Sequence, residues 1–175
     1  MRRLMIFAAL LTTLFGAPAF AADITDFFGT FTGTAKITEN DTTEDRDMSV
    51  TIAQTDKGFQ VSWTSVISRS DGRTKENTYT ILFIPTQRDD IFASAMKTNV
   101  FGKAVPLDPL KGDPYVWSRL SDDTLSVFSL LIDENGNYMV QEYHRTLAEG
   151  GLDLEYRRFR DGQALKSVNA FLAKN

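Results

Sequence analysis

At 175 residues, 42% of them hydrophobic and 24% charged, the chain is long enough for one domain with its own core. The lack of any cysteine excludes disulfides, thiol nucleophiles, thiolate metal sites and a lipobox anchor. A formal charge of −4 with no basic run argues against nucleic acid and against an anionic membrane surface as partners.

The N-terminus reads as a secretory signal. Met1-Arg2-Arg3 is basic, Leu4 to Phe15 is an apolar run too short to span a bilayer, and Ala19-Phe20-Ala21 is a small-x-small cleavage site. The arginines lack the surroundings of a twin-arginine signal, which favours the general secretory route. The expected organisation is a signal peptide over 1–21 and a single domain over 22–175. With no cysteine, a bacterial periplasm suits the product better than a eukaryotic exterior.

Beyond the cleavage site, Asp23 to Phe28 can form one helical turn capped by Asp23 or Thr25. Gly29 to Thr38 alternates, with Phe31, Ala35 and Ile37 on one side. Met48, Val50 and Ile52 form the next apolar face, and Asp56-Lys57-Gly58 turns the chain. The acidic stretch Glu39–Asp47 reads as a solvated turn and strand start. Phe59, Val61, Trp63, Ser65 and Ile67 follow, then a turn at Ser70-Asp71-Gly72. Tyr79, Ile81 and Phe83 lead to Pro85, which cannot donate to a ladder and marks a strand end. Ile91 to Met96 is a shorter strand. Thr98 to Pro114 is long and irregular, and Pro106, Pro109 and Pro114 argue against regular structure there. Val116 to Leu120 then enters a three-stranded meander over Thr124–Arg160.

Asn135-Gly136 between two alternating runs is a strong hairpin signal. As a two-residue turn it pairs Ile132 with Met139, Leu130 with Gln141, Phe128 with Tyr143 and Ser126 with Arg145. The next turn, within Glu149-Gly150-Gly151, pairs Leu147 with Leu152, Arg145 with Leu154, Tyr143 with Tyr156 and Gln141 with Arg158. The opposite face pairs Glu142 with Arg157 and His144 with Glu155. Opposite charges thus share one face and bulky groups the other. Asp161-Gly162 makes a last hairpin into Gln163–Ala173, which fits a strand presenting Leu165, Ser167, Asn169 and Phe171, or a helical stripe; the Asp-Gly turn favours the strand.

About ten short strands joined by sequential turns predict an all-β, antiparallel up-and-down barrel with a short N-terminal helical turn. Phe28-Gly29-Thr30-Phe31-Thr32-Gly33, after a short helical turn and before a meander, resembles the N-terminal signature of the calycin superfamily, the lipocalins and fatty-acid-binding proteins. Phe31 stands where lipocalins carry the tryptophan of Gly-x-Trp. The layout also resembles uncharacterised secreted barrel proteins of proteobacteria. The resemblance implies a cup for a small lipophilic ligand, and a late arginine, here Arg158, stacked on Phe31 to close the barrel.

The inward register gathers the candidate ligand-binding residues Arg145, Arg158, Tyr143, Tyr156, Gln141 and Ser126. An arginine does not shed its charge at ordinary pH, so a buried one requires an anion or several acceptors, and no carboxylate shares this face of the meander. An anionic head, held by guanidinium and phenol groups as in the fatty-acid-binding proteins that the chain resembles, meets that need. The competing reading is a filled barrel in which Phe31, Phe59, Trp63, Tyr79, Phe83 and Phe128 pack a core. The protein then acts as an interaction module, a secreted inhibitor or an envelope assembly factor. Its outward Leu125, Val127, Leu131 and Val140 would form an apolar contact patch.

Other classes find less support. The chain has one histidine, His144, placed outward opposite Glu155 in an ion pair, and no nucleophile elbow, phosphate loop or dinucleotide fingerprint accompanies it. The expectation is a binding protein without catalytic residues or cofactor. Asp133-x-Asn135-x-Asn137 has a calcium-loop look, but the distal glutamate is missing, so no metal is expected. An outer-membrane barrel would want longer strands with aromatic girdles.

Overall fold

The computed structural model describes residues 22–39, 42–68, 73–94, 97–98, 104–105 and 107–175. The expected signal segment and the expected Ser70-Asp71-Gly72 turn lie outside these residues. A 3₁₀ turn (Ile24–Phe27) is followed by strands β1 (Gly29–Glu39), β2 (Thr42–Thr55), β3 (Gly58–Ser68), β4 (Thr74–Pro85) and β5 (Ile91–Ser94). After two short strands, β6 (Lys97–Thr98) and β7 (Ala104–Val105), and a second 3₁₀ turn (Pro109–Lys111), come β8 (Tyr115–Ser121), β9 (Thr124–Ile132), β10 (Tyr138–Ala148), β11 (Gly151–Arg160) and β12 (Gln163–Lys174).

All strands but β6 and β7 close into one antiparallel barrel of ten strands in the order β1-β12-β11-β10-β9-β8-β5-β4-β3-β2. Barrel strands that follow one another in the chain are neighbours, joined by short turns except between β5 and β8, and β12 returns to β1 to leave no free edge. The small β6–β7 pair and the turn capped by Asp108 correct the expectation of an irregular Thr98–Pro114. Pro109 opens that 3₁₀ turn, a first position where the missing N–H goes unused.

One end of the barrel is solid. The Asp23 side chain caps the first 3₁₀ turn, accepting from Thr25 N while Asp26 accepts from Asp23 N, and Ala22 N donates to Asp122 O at 2.9 Å. That turn drives Phe27 into the barrel end beside Phe31, Ile52, Phe59, Phe83, Leu125, Leu152 and Leu172, each at most 1% exposed. Phe59 stacks on Phe83 at 5.1 Å and meets Phe92 edge-on at 5.0 Å. The cation over Phe31 is Lys174, with Nζ 5.6 Å from the ring centre. Arg158, expected there, instead faces the cavity described below.

The register of β10 on β11 is the expected one, including Tyr143–Tyr156, Arg145–Leu154, Leu147–Leu152 and Gln141–Arg158. Glu149-Gly150 forms the two-residue turn, with Gly150 at φ 77°, a left-handed conformation open to glycine at no steric cost.

Between β9 and β10 the register differs by one residue. The connection is Asp133–Asn137, and Ile132 pairs with Tyr138. The Asp133 carboxylate accepts from Asn135 N at 2.9 Å, Asn137 N at 3.0 Å and the Asn137 amide. Those bonds, which also hold the Asp133 carboxyl below its usual range, favour a longer loop over a tight Asn-Gly turn. A one-residue slip exchanges the two faces of a strand. Leu125, Val127, Ser129 and Leu131 therefore share the inward face of Tyr143 and Arg145, while Ser126, Phe128, Leu130 and Ile132 share the outward face of Glu142 and His144.

Strand β12 shows the same parity effect from another cause. Asp161-Gly162 makes the expected hairpin and pairs Phe159 with Ala164, but a bulge then sets Arg158 opposite Lys166. Leu165 is the extra residue, so Lys166, Val168, Ala170 and Leu172 point inward. Leu165 and Phe171, expected inside, are exposed.

Candidate functional site

Above the solid end, the inward residues of β10 and β11 change from apolar to polar in successive layers: Leu147 with Leu152, Arg145 with Leu154, Tyr143 with Tyr156, Gln141 with Arg158. These upper layers border a cavity of about 870 Å³, to which Trp63, Tyr79, Ser129 and Leu131 also contribute. Leu107 and Pro114, on either side of the second 3₁₀ turn, line it as well. This volume matches the span of known small-molecule pockets.

Arg145 lies at the base of the polar layers and is 2% exposed. Its strand partners are Leu125 and Leu154, and its guanidinium carbon lies 5.5 Å from the centre of the Tyr143 ring. Burial pushes the guanidinium pKa down to about 10, so it still carries its charge at neutral pH. Its Nε and Nη1 are accepted by no protein atom, and the same holds for Arg46 Nε, Arg158 Nε and the buried Ser65 hydroxyl. Arg46, Arg145, Arg158 and Lys166 all line the cavity, and no carboxylate does among the described residues.

The phenols sit among these cations. Tyr143 Oη donates to Gln141 Oε1 at 3.0 Å, its ring lies 4.8 Å from Tyr156 and 5.4 Å from Trp63, and Trp63 stacks on Tyr79 at 5.4 Å. Burial, then the neighbouring Tyr156, pushes the Tyr143 phenol above the ordinary tyrosine range. Burial likewise raises Tyr156, against the opposing pull of Arg158 and Arg46. Both phenols stay protonated donors at any ordinary pH.

Of the six residues expected to bind ligand, Arg145, Arg158, Tyr143, Tyr156 and Gln141 come together around this cavity. Ser126 does not. It faces outward, its hydroxyl 2.8 Å from His144 Nδ1, because the Asp133 loop shifted β9 by one residue. Ser129, opposite Gln141, lines the cavity instead. His144 Nε2 lies 3.3 Å from Glu142 Oε2 on the outer face, while Glu155 is taken by Arg157 Nε at 2.8 Å. The outer charges thus pair along each strand rather than across it as the register suggested. The sequence reading passed over Arg46, Ser65 as a donor, and Lys166. Extending the Val50, Met48 alternation back by two positions identifies Arg46 as inward, a signal obscured by the acidic residues around it.

No protein-family model matches the chain, and comparison with curated proteins and with solved structures finds no significant match.

Proposed function

We propose that the protein is a secreted, periplasmic barrel of the calycin type that binds a small amphipathic anion, its charged head on Arg145 and its apolar part along the aromatic wall. One observation carries this reading. A guanidinium that is charged at neutral pH is buried at the base of a cavity, with two of its N–H groups unaccepted and no carboxylate in the cavity lining among the described residues. Leaving such a group unmet costs several kcal/mol of stability, a cost a protein sustains where the charge serves a ligand. Trp63, Tyr79, Tyr143 and Tyr156 offer flat apolar surface beside it, and the phenol of Tyr156 adds a donor. The activity is binding, with no catalytic residue, metal or cofactor assigned.

The test is native mass spectrometry of the protein purified from its own periplasm, before and after extraction with organic solvent. A mass loss on extraction supports a resident ligand. An unchanged mass, together with no uptake of added oleate or lysophospholipid, overturns the proposal.

A protein-interaction module is the second reading, favoured by the outer face. The one-residue slip of β9 that turned Leu125, Val127 and Leu131 inward turned Phe128 and Leu130 outward. They join Tyr115, Trp117, Val140 and Phe159 in a half-exposed apolar band across β8 to β11, with Trp117 stacked on Phe128 at 5.0 Å. An envelope protein partner that co-purifies and is lost on Trp117→Ser would support this reading. No helix is long and apolar enough to cross a membrane among the described residues. The exposed Glu155–Arg157 pair on the outer face disfavours a lipid-facing barrel, where such charges are costly.

A further inference from the structure

The cavity holds more unaccepted cationic donors than one carboxylate can take up. Four residues along β10 separate Arg145 from Gln141, the strand partner of Arg158, or about 13 Å at a strand rise of roughly 3.3 Å per residue. The arginines therefore enter the cavity from two levels, with the Tyr143–Tyr156 layer between them. Arg46, Arg145 and Arg158 line one cavity with both phenols, and the Arg145 guanidinium carbon lies 5.5 Å from the Tyr143 ring centre. Arg46 Nε and Arg158 Nε are shielded from solvent and unaccepted, like the two Arg145 nitrogens below and the Ser65 hydroxyl.

A carboxylate brings one charge and two oxygens. Held side-on by the fork of Arg145 it would satisfy the deep level and leave Arg46 and Arg158 as they stand. A phosphate monoester brings a charge of about −1.5 to −2 and three terminal oxygens, enough to accept from both levels and from the Tyr156 hydroxyl at once. With this and the proposed anion site as its basis, we infer that the cavity selects a phosphomonoester head, the doubly charged terminus of a single-chain lipid, over a monocarboxylate.

The test is calorimetric titration of the protein with four probes below their micellar concentrations: 1-oleoyl lysophosphatidate, oleate, oleoyl lysophosphatidylcholine and glycerol 3-phosphate. At pH 8, lysophosphatidate should bind about ten- to a hundredfold tighter than oleate, the gain of one further charge-assisted contact. That preference should shrink at pH 5, where the phosphate keeps a single charge. Arg46→Gln and Arg158→Gln, at half-buried positions that a melting curve can show to be folded, should each weaken lysophosphatidate more than oleate and so erase most of the preference. Glycerol 3-phosphate binding as tightly as lysophosphatidate would support phosphomonoester recognition and move its source to a soluble metabolite. Oleate or the zwitterionic lipid binding as tightly as lysophosphatidate would overturn the inference while leaving the anion site or the lipophilic cup intact. If no probe binds, the proposed function falls with it.

Discussion

The two ends of the barrel are built from the same strands by the same alternation, yet one is solid and the other hollow. At the solid end the inward positions carry large apolar groups from every side, and the N-terminal 3₁₀ turn adds Phe27 as a plug. At the hollow end the inward positions of β10 and β11 become Arg145, Tyr143, Tyr156, Gln141 and Arg158, with Arg46 and Ser65 opposite. Alternation decides which residues point inward, and side-chain chemistry decides whether the interior closes. Burial at the first end stabilises the fold at roughly 25 cal/mol per Å² of apolar surface. Burial of Arg145 at the second works against it, so substitution of Arg145 should carry the opposite sign to substitution in the solid end.

The largest effect is expected at the solid end. Phe83→Ala or Leu152→Ala removes a fully enclosed side chain and should cost about 3–5 kcal/mol in a urea melt. A cost below about 1 kcal/mol would mean that this end is not the closed core. Within the hollow end, Tyr143→Ala should cost about 2–4 kcal/mol for its aromatic packing, whereas the adjacent outward His144→Ala should cost under about 1 kcal/mol. Equal costs would contradict the assignment of faces on β10.

How much of this could be read from the sequence depends on what sits between the strands. The β10–β11 register followed from opposite charges and matched bulk meeting across Glu149-Gly150, and it holds pair by pair. Both misread faces follow from a single residue. The Asp133 carboxylate, gathering three neighbouring amides, lengthens the loop and flips β9, and the Leu165 bulge flips β12. A period of two tolerates no miscount, so an Asx loop or a bulge that leaves little trace in composition moves a whole strand to its other face. The candidate site remained largely legible because five of its six residues lie on β10 and β11, beyond either slip. Ser126 was lost because it lies on β9.

Alkaline titration separates two residues within the hollow end. A tyrosine whose folded pKa is raised stabilises the fold fully below the unfolded value near 10, and that contribution fades as pH rises through the folded value. Arg145, with its folded pKa lowered to about 10, has the opposite sign, since its burial cost is relieved as pH climbs past that point. Stability should therefore fall more gently above pH 10 in Tyr143→Phe than in the native protein, and more steeply in Arg145→Leu. Identical slopes in all three would show that neither group is buried as described.

A smaller effect is expected from the segment between β7 and β8. Leu107 and Pro114 line the cavity, and Gly112, at φ 83°, caps the 3₁₀ turn between them. Shortening residues 108–113 should leave the melting curve nearly unchanged and speed exchange of bound lipid. Unfolding on shortening would make the segment part of the barrel's closure rather than a cover for its mouth.

The most direct measurement is the melting temperature of the native protein and of Arg145→Leu, each with and without saturating oleate or lysophosphatidate. Ligand should raise the native melting temperature. Arg145→Leu should melt as high or higher when free, since a buried unmet charge has been removed, and should lose most of the ligand-induced rise, a drop in affinity of at least about 1–2 kcal/mol. A variant that melts lower when free yet keeps the full ligand shift would contradict the account and make Arg145 a structural residue.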